Sequence, residues 1–361
     1  MMDKILNHVW LHNVCVNVFK AMNCSESHAQ EAAQVLLSAD LRGIDSHGIA
    51  RLSGYYGLFL KGRINTKPNI HIIYEKLSTA TVNADGALGL IAAPFAMQIA
   101  IDKAQKYGTG WVAVQNSNHF GIAGYHAMLA LPHDMIGIAM TNASPLVAPT
   151  NSKERLLGTN PMAFAIPTGT DRPFVADFAT TTAANGKLEI LQRKGLDAPK
   201  GWIQDKNGES STNPNELKSG GALLPLGSDK EHGSHKGYCL GAVVDILSAV
   251  LSGANYGPWV PPFVSFLDPP INPVGNGIGH FFGAMRIDAF RPADDFKKHM
   301  QNWIKTFIEA ERVNKDKPVI IPGWPEQDAY EKRINDGIPI NEKVWNDLNQ
   351  LCDQLNIKIS N

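Results

Sequence analysis

Cysteine is scarce in this chain. Its four cysteines, Cys15, Cys24, Cys239 and Cys352, lie far apart and form no CxxC pair. That argues against a zinc knuckle and against the dense disulfide framework of small secreted domains. Charge of one sign is also missing: 33 Lys and Arg stand against 34 Asp and Glu, so 33 − 34 = −1. No global field recruits nucleic acid or an acidic membrane surface. No apolar run reaches the ~20 residues that a membrane-spanning helix needs. The opening MMDKILNHVWLHNVCVNVFKAM alternates polar and apolar residues at helical spacing and lacks a signal peptide's uninterrupted apolar stretch and small-residue cleavage site. The expectation is a soluble protein of a reducing compartment, the cytoplasm, whose partner is a small molecule and neither nucleic acid nor membrane.

Several chemical signatures are absent as well. No GxGxxG opens a helix after a strand and no GxxxxGK[ST] occurs, so neither the Rossmann fingerprint nor a P-loop is present. No GxSxG elbow accompanies Ser46-His47, whose adjacent side chains point different ways on a helix. His8 and His12 are spaced i, i+4, and His232 and His235 i, i+3, but no HExxH or carboxylate–histidine array accompanies them. No metal is therefore expected. There is no internal repeat and no low-complexity tract.

What is there is a 361-residue chain with 44% hydrophobic residues, enough for a substantial core and more than one domain. Residues 3–22 and 26–39 read as amphipathic helices, the second with Ser25 as N-cap and a stripe of Ala29, Ala32, Ala33, Leu36 and Leu37. A third helical pattern, SHGIARLSGYYGLFLKG, ends near Gly62, and the extended NTKPNIHIIYEKL leads to a boundary near residue 75. From there, short β-rich runs (TATVNA, GWVAVQ, MIGIAMTNA, MAFAIPT, PFVADFA) alternate with helical segments in a mixed α/β core over residues 76–295. Residues 196–236 form a polar surface excursion, and 238–254 an apolar helix. The segment 255–279, dense in proline and glycine, is irregular surface or an interface arm. Residues 296–361 are helical again and pack back on the N-terminal helices.

Two clusters carry candidate chemistry. In DLRGIDSHGIARL, Asp45 is placed to cap a helix whose face presents His47, Arg51 and Tyr55 at i, i+4 and i+8. A guanidinium fork there pairs with a carboxylate, so the face suits a small organic acid. A surface helix with a solvated arginine fits the spacing equally well. In QNSNHFGIAGYHAM, polar residues follow an apolar strand, and His119 has the titration range for passing a proton both ways. A purely structural loop histidine is the competing reading. The Gly, Asn, Thr and Ser-rich junctions TNASP, GTNP, DFATTTAANGK and HGSHKG supply phosphate-binding donors or ordinary turns.

Taken in order, ADLRGIDSHGIARL, NSNHFGIAGY, GTNPMAFAIP, DFATTTAANGK and HKGYCLGAVVDILSAVLSGA resemble the malate/L-lactate dehydrogenase family of the type-2, non-Rossmann kind. The motifs run in family order from about residue 3 to the PGW at 322–324. The family also includes ureidoglycolate, sulfolactate and diketogulonate oxidoreductases. The resemblance implies an α/β (α+β) fold with a sulfolactate dehydrogenase-like mixed sheet. A non-Rossmann cofactor domain would then join a helical domain built from the N- and C-terminal segments. It implies an NAD(P)-dependent 2-hydroxyacid dehydrogenase, with NAD favoured and malate the leading substrate, working as a homodimer. Lactate, ureidoglycolate, sulfolactate, diketogulonate or a cyclic imino acid are alternatives, as is a silent ligand-binding protein that keeps the fold.

Carried over by motif, Ser46 and Arg51 hold the substrate, joined by Tyr55 from the same helix face, and His119 or His47 moves the proton. His47, Asn118, Ser144, Asn160, Asp177, Phe178, Ala179, Lys236, Gly237, Pro322 and Gly323 fall at cofactor positions. For the far end of a dicarboxylate, Lys153, Arg155 and Arg286 are unranked candidates. Two departures from the family pattern stand out: the long Pro-rich 255–279 segment, and Asp245 where a glutamate is expected.

Overall fold

A computed structural model describes residues 3–358. The chain starts not with a helix from residue 3 but with a short strand, β1 (Lys4–Leu6), and then α1 (His8–Ala21). Two causes separate them. Asn7 Oδ1 accepts hydrogen bonds from the Val9 and Trp10 N–H groups at 2.9 and 3.1 Å, fixing the helix start. The segment before it finds a partner far along the chain, since Lys4–Leu6 pairs antiparallel with Ile338–Ile340. The next helix, α2 (Glu26–Leu41), begins as expected at Ser25, whose Oγ accepts from the His28 N–H, and its alanine–leucine stripe is buried.

The third helical segment differs from its expected form. Residues 45–48 turn, Ile49–Arg51 make one 3₁₀ turn, and α3 covers only Leu52–Leu60. Asp45 caps nothing and instead pairs with Arg333. The capping carboxylate is Asp40, whose Oδ2 accepts the Ile49 N–H at 2.7 Å. Gly48 sits directly over that carboxyl, and a Cβ there would approach its atoms to about 2.1 Å. Glycine at 48 and aspartate at 40 are therefore one steric unit that sets the direction of the Ser46–Arg51 turn.

The middle of the chain builds the main sheet. Its strands are β2 (His71–Lys76), β3 (Thr79–Asn83), β4 (Thr109–Ser117), β5 (Met135–Thr141), β6 (Met162–Ile166), β7 (Phe174–Phe178) and, much later, β11 (Ile278–Arg286). Their spatial order is β2-β3-β4-β11-β5-β6-β7, with β3 and β4 parallel and the remaining pairs antiparallel. Helices α4 (Gly89–Tyr107) and α5 (Ala123–Met128) cover one face through an alanine-rich layer that includes Ala93, Ala96, Ala100, Ala127 and Ala139. Small side chains bring these helices close to the strands and keep the layer densely packed. Because β11 runs antiparallel to both neighbours, its beginning meets the ends of β4 and β5. Ile278 faces Ser117, and His280 faces Thr141. Three strand ends thus converge on one sheet edge.

The expected polar excursion at 196–236 follows α6 (Asn185–Lys194) and contains a small sheet of β8 (Ile203–Gln204), β9 (Ser210–Ser211) and β10 (Ala222–Leu223). That sheet closes over its own cluster of Val147, Leu157, Leu188, Ile203 and Leu223. The apolar helix expected at 238–254 is α7 (Ser234–Asp245), followed by a π turn over Ile246–Val250. The Pro-rich segment is irregular except for a 3₁₀ turn at Gly257–Trp259 and its last two residues, which open β11.

Among the C-terminal elements, α8 (Ala293–Ile308) lies against the sheet end, where Trp303 packs edge-on against Phe174 and Lys297 pairs with Asp134. Then α9 (Trp324–Asp336), β12 (Ile338–Ile340) and α10 (Glu342–Gln354) return to the N-terminal helices. Ile338, Leu348 and Leu351 share one core with Leu11, Phe19, Leu36 and Leu58. Each such enclosed side chain contributes about 1.5–3 kcal/mol. No helix among the described residues is long and apolar enough to cross a membrane.

Candidate active site

The converging strand ends and the 45–55 turn face each other across a cleft. From the turn come Ser46, His47 and Arg51; from the loop after β4 comes His119; from the ends of β5 and β11 come Thr141 and Ile278. Tyr55, one turn into α3, is buried behind them, and its hydroxyl shares a 2.7 Å hydrogen bond with His119 Nδ1. The His47 and His119 rings stack with centroids 5.7 Å apart. Ser46 Oγ lies 2.9 Å from His47 Nδ1, and the Ser46 carbonyl accepts from Arg51 Nε at 2.6 Å. Gly89 permits the loop its position, since a Cβ there would come within 2.2 Å of the Asn118 carbonyl oxygen.

His47, Arg51 and Tyr55 thus do converge, although only Tyr55 lies on the α-helix. The 3₁₀ turn carries Arg51, and the bend that precedes it carries His47. The Asp40 cap and Gly48 replace helical periodicity as the device that aims them.

The electrostatics are one-sided. None of the described residues lining this cleft is acidic. Burial first, and then the Arg51 charge, lowers the His47 imidazole to about 4. His119 is held well below its ordinary value by burial, with His47, Arg51 and His280 acting in the same direction. Burial pushes the Tyr55 phenol up. The site therefore presents neutral imidazoles, a protonated phenol and one guanidinium at neutral pH. Such a set binds an anion and exchanges a proton with it. Lys153, Arg155 and Arg286 lie elsewhere. Lys153 lines a separate polar groove, Arg155 donates to the Leu217 and Gly221 carbonyls, and Arg286 pairs with Asp288. Among the described residues lining the cleft, Arg51 is the single Lys or Arg.

The positions expected at a cofactor are more dispersed. Ser144 adjoins the cleft, its hydroxyl accepting the Phe263 N–H at 3.3 Å. Asn118 donates to the Gly86 and Ala87 carbonyls at 3.0 Å, tying the His119 loop to the start of α4. Asn160 is fully buried, with its amide spent on the Ala143 N–H and the Gly241 carbonyl, so it braces the β5 exit. Asp177, Phe178, Pro322 and Gly323 line a second cleft together with Arg42 and Glu326. There Asp177 Oδ2 accepts the Gly124 N–H at 2.7 Å. Ala179 follows at the end of β7. Lys236 and Gly237 sit in the first turn of α7 and are not among the residues lining the His119 cleft; Gly237 is packed so tightly that a Cβ would lie 2.3 Å from the Leu226 backbone nitrogen.

Sequence reasoning did not reach three participants. Phe263, from the Pro-rich segment, stacks on His119 with centroids 5.2 Å apart and lies 5.4 Å from the Arg51 guanidinium. His280 and Thr141 form a buried prop below, with Thr141 Oγ1 2.7 Å from His280 Nδ1. Only the unusual proline density of 255–279 hinted at the first, and nothing local marks the others.

With this geometry established, comparison with known proteins is decisive. A sequence profile of the malate/L-lactate dehydrogenase family matches residues 6–349. The chain belongs to that family. A malate dehydrogenase of Pyrococcus abyssi is 42% identical over 349 residues, covering 96% of this chain and 94% of its relative. A malate/(S)-sulfolactate dehydrogenase of Methanothermus fervidus is 38% identical over 349 residues, covering 96% and 97%. The crystal structure of malate dehydrogenase from Entamoeba histolytica superimposes with a TM-score of 0.91 at 32% identity, covering 99% of this chain and 100% of that one.

As a member of this family, the chain is a dehydrogenase of 2-hydroxy acids that works with a nicotinamide cofactor. The residues present fit that group. The acid-free cleft abuts the start of α6, where Ala184 provides no side-chain cap for the first N–H groups. The aromatic faces of Phe263 and His119 stand beside it.

Proposed function

We propose that the protein interconverts malate and oxaloacetate with NAD as its preferred cofactor. The observation that carries this reading is the meeting of Arg51, His119 and Tyr55 in a cleft without a carboxylate. Arg51 takes the carboxylate next to the reacting carbon through its guanidinium fork. With the His119 Nδ1–H donating to the Tyr55 hydroxyl oxygen, the ring is fixed and its Nε2 lone pair takes the hydroxyl proton during oxidation and returns it during reduction. Ser46 and His47 close the side of the cleft and orient the hydroxyl. A nicotinamide cofactor, when bound, supplies the hydride acceptor or donor. Alignment of the reacting groups by Arg51 and Tyr55 removes much of the entropic barrier.

The residues assigned to the cofactor are Ser144 beside the reacting end, with Asn160 bracing the strand exit behind it, Asp177, Phe178 and Ala179 along β7, and Pro322 and Gly323 in the second cleft. Lys236 and Gly237 complete the set. Preference for NAD draws support from Asp177 and Glu326, two carboxylates in the cleft of Pro322 and Gly323. Acidic groups accept from a ribose hydroxyl and repel a 2′-phosphate. A homodimer draws support from the exposed apolar stretch of Val243, Ile246, Val250 and Leu251 along α7 and its π turn. A cytoplasmic location accords with free cysteines throughout.

The test is a panel of keto acids (oxaloacetate, pyruvate, 3-sulfopyruvate and α-ketoglutarate) read by NADH and NADPH absorbance. The expected result is the highest kcat/KM for oxaloacetate with NADH. A preference of tenfold or more for another keto acid, or for NADPH, overturns the corresponding half of the assignment.

A further inference from the structure

We infer that Phe263 is a positioning residue: a proline-rich strap tied down by Arg63 holds its ring against His119 and Arg51, setting both groups and keeping water from them. This rests on the reading of His119 and Arg51 as the proton-moving and carboxylate-binding groups. The strap has no regular structure between Val260 and Leu267, and its prolines at 261 and 262 supply no N–H for a strand ladder. Other groups hold it. Arg63, just beyond α3, donates to the carbonyls of Pro262, Val264 and Leu267, which gathers the backbone on both sides of Phe263. The Phe263 N–H donates to Ser144 Oγ. Ser265 rests against Gly57 of α3, where a Cβ would stand 2.6 Å from its hydroxyl. A phenylalanine held at three points and stacked on the imidazole at 29° is a built element of the cleft.

The ring acts on two groups at once. Its face attracts the Arg51 guanidinium, and its bulk excludes water from the imidazole. The charged and titratable groups facing His119 are Tyr55 from α3, His47 and Arg51 from the preceding turn, and His280 from β11. None of them is a carboxylate, so each element packed on His119 favours its neutral form or leaves it unchanged. Loss of the Phe263 ring admits water, and the imidazole then titrates closer to its ordinary range.

The experiment is an NMR titration of histidine-labelled protein, with His119→Asn used to assign the resonance. It compares wild type, Phe263→Ala, Phe263→Tyr and Arg63→Gln, each checked for a cooperative thermal melt. Phe263→Ala is expected to raise the His119 midpoint by about one unit or more, and to move the acidic limb of kcat/KM upward with it. Phe263→Tyr keeps the stack and restores the wild-type midpoint. Arg63→Gln, which keeps the phenyl side chain but frees the strap that holds it, gives an intermediate shift and carries the test alone if Phe263→Ala does not fold. An unchanged midpoint in Phe263→Ala, or in Arg63→Gln where that variant alone folds, overturns the proposal. Full turnover in His119→Asn would instead overturn the assignment of the proton to His119, while the NMR shift would still stand.

Discussion

Four histidines near the sheet edge form two contrasting pairs. His47 and His119 stack in the lining of the cleft, whereas His126 and His280 lie fully buried against Phe120, each 4.8 Å from its ring. All four are harder to protonate than an ordinary histidine. Burial brings His126 to about 4 and His280 to about 3, alongside about 4 for His47 and a strong lowering for His119. Perturbed basicity therefore does not distinguish the two regions. What does is the company each pair keeps. His280 spends both ring nitrogens on Thr141 and Ser117, and His126 bonds the Phe120 carbonyl through Nε2 while its Nδ1 lies unpartnered within the core. The cleft pair keeps ring nitrogens available beside a guanidinium and a phenol.

The largest effect is expected from exchanging the roles the two regions play. His119→Asn removes the group that moves the proton and is expected to lower kcat by about 10²–10⁴ while the melting temperature changes little. His280→Ala leaves Thr141 and Ser117 without their buried partner and is expected to cost about 1–3 kcal/mol of stability. Its kcat should stay within about tenfold of wild type. Steady-state kinetics and thermal melts on both variants decide it, and the contrast collapses if the two variants lose activity equally.

A smaller effect sharpens the comparison within the cleft. Arg51→Lys preserves the charge but loses the planar fork and its stacking on Phe263. The expected loss is about 10–100-fold in kcat/KM, mostly in KM, measured at constant ionic strength. Equal KM values for the two proteins would remove the carboxylate clamp from Arg51.

The same contrast explains what the sequence made legible. Strands β4 to β7 announce themselves as apolar runs between glycines, and their order along the chain sufficed to place His119 at a strand exit. Ser46, His47, Arg51 and Tyr55 were recognisable by type and as part of one ordered set of motifs. A single helix does not run through them, because the Asp40 carboxyl nine residues back captures the Ile49 N–H and leaves a 3₁₀ turn. Local periodicity has no access to that bond. The strand β1 was missed for the same reason, its partner lying more than three hundred residues away. The two-residue strands β8, β9 and β10 are too short to carry any period. Phe263 reaches His119 from a segment that follows no pattern.

Asp40 joins the two regions, being a buried group beneath the turn that carries a cleft histidine. It is 1% exposed, and its carboxyl sits at about 8. Burial is the main cause, with Asp45 adding to it and the Ile49 N–H and Arg333 opposing it. A carboxyl raised in the folded state from about 4 in the unfolded chain contributes stability that is complete below about 4. That contribution is lost as pH rises through about 8. Asp40→Asn keeps an oxygen to accept the Ile49 N–H but no longer titrates. Its melting temperature should match wild type near pH 4 and fall less than wild type between pH 4 and 8, by a few degrees. Parallel losses in the two proteins would mean that another group titrates there. A smaller loss in the variant would show that the turn aiming His47 and Arg51 is held by the shape of a carboxyl group rather than by its charge.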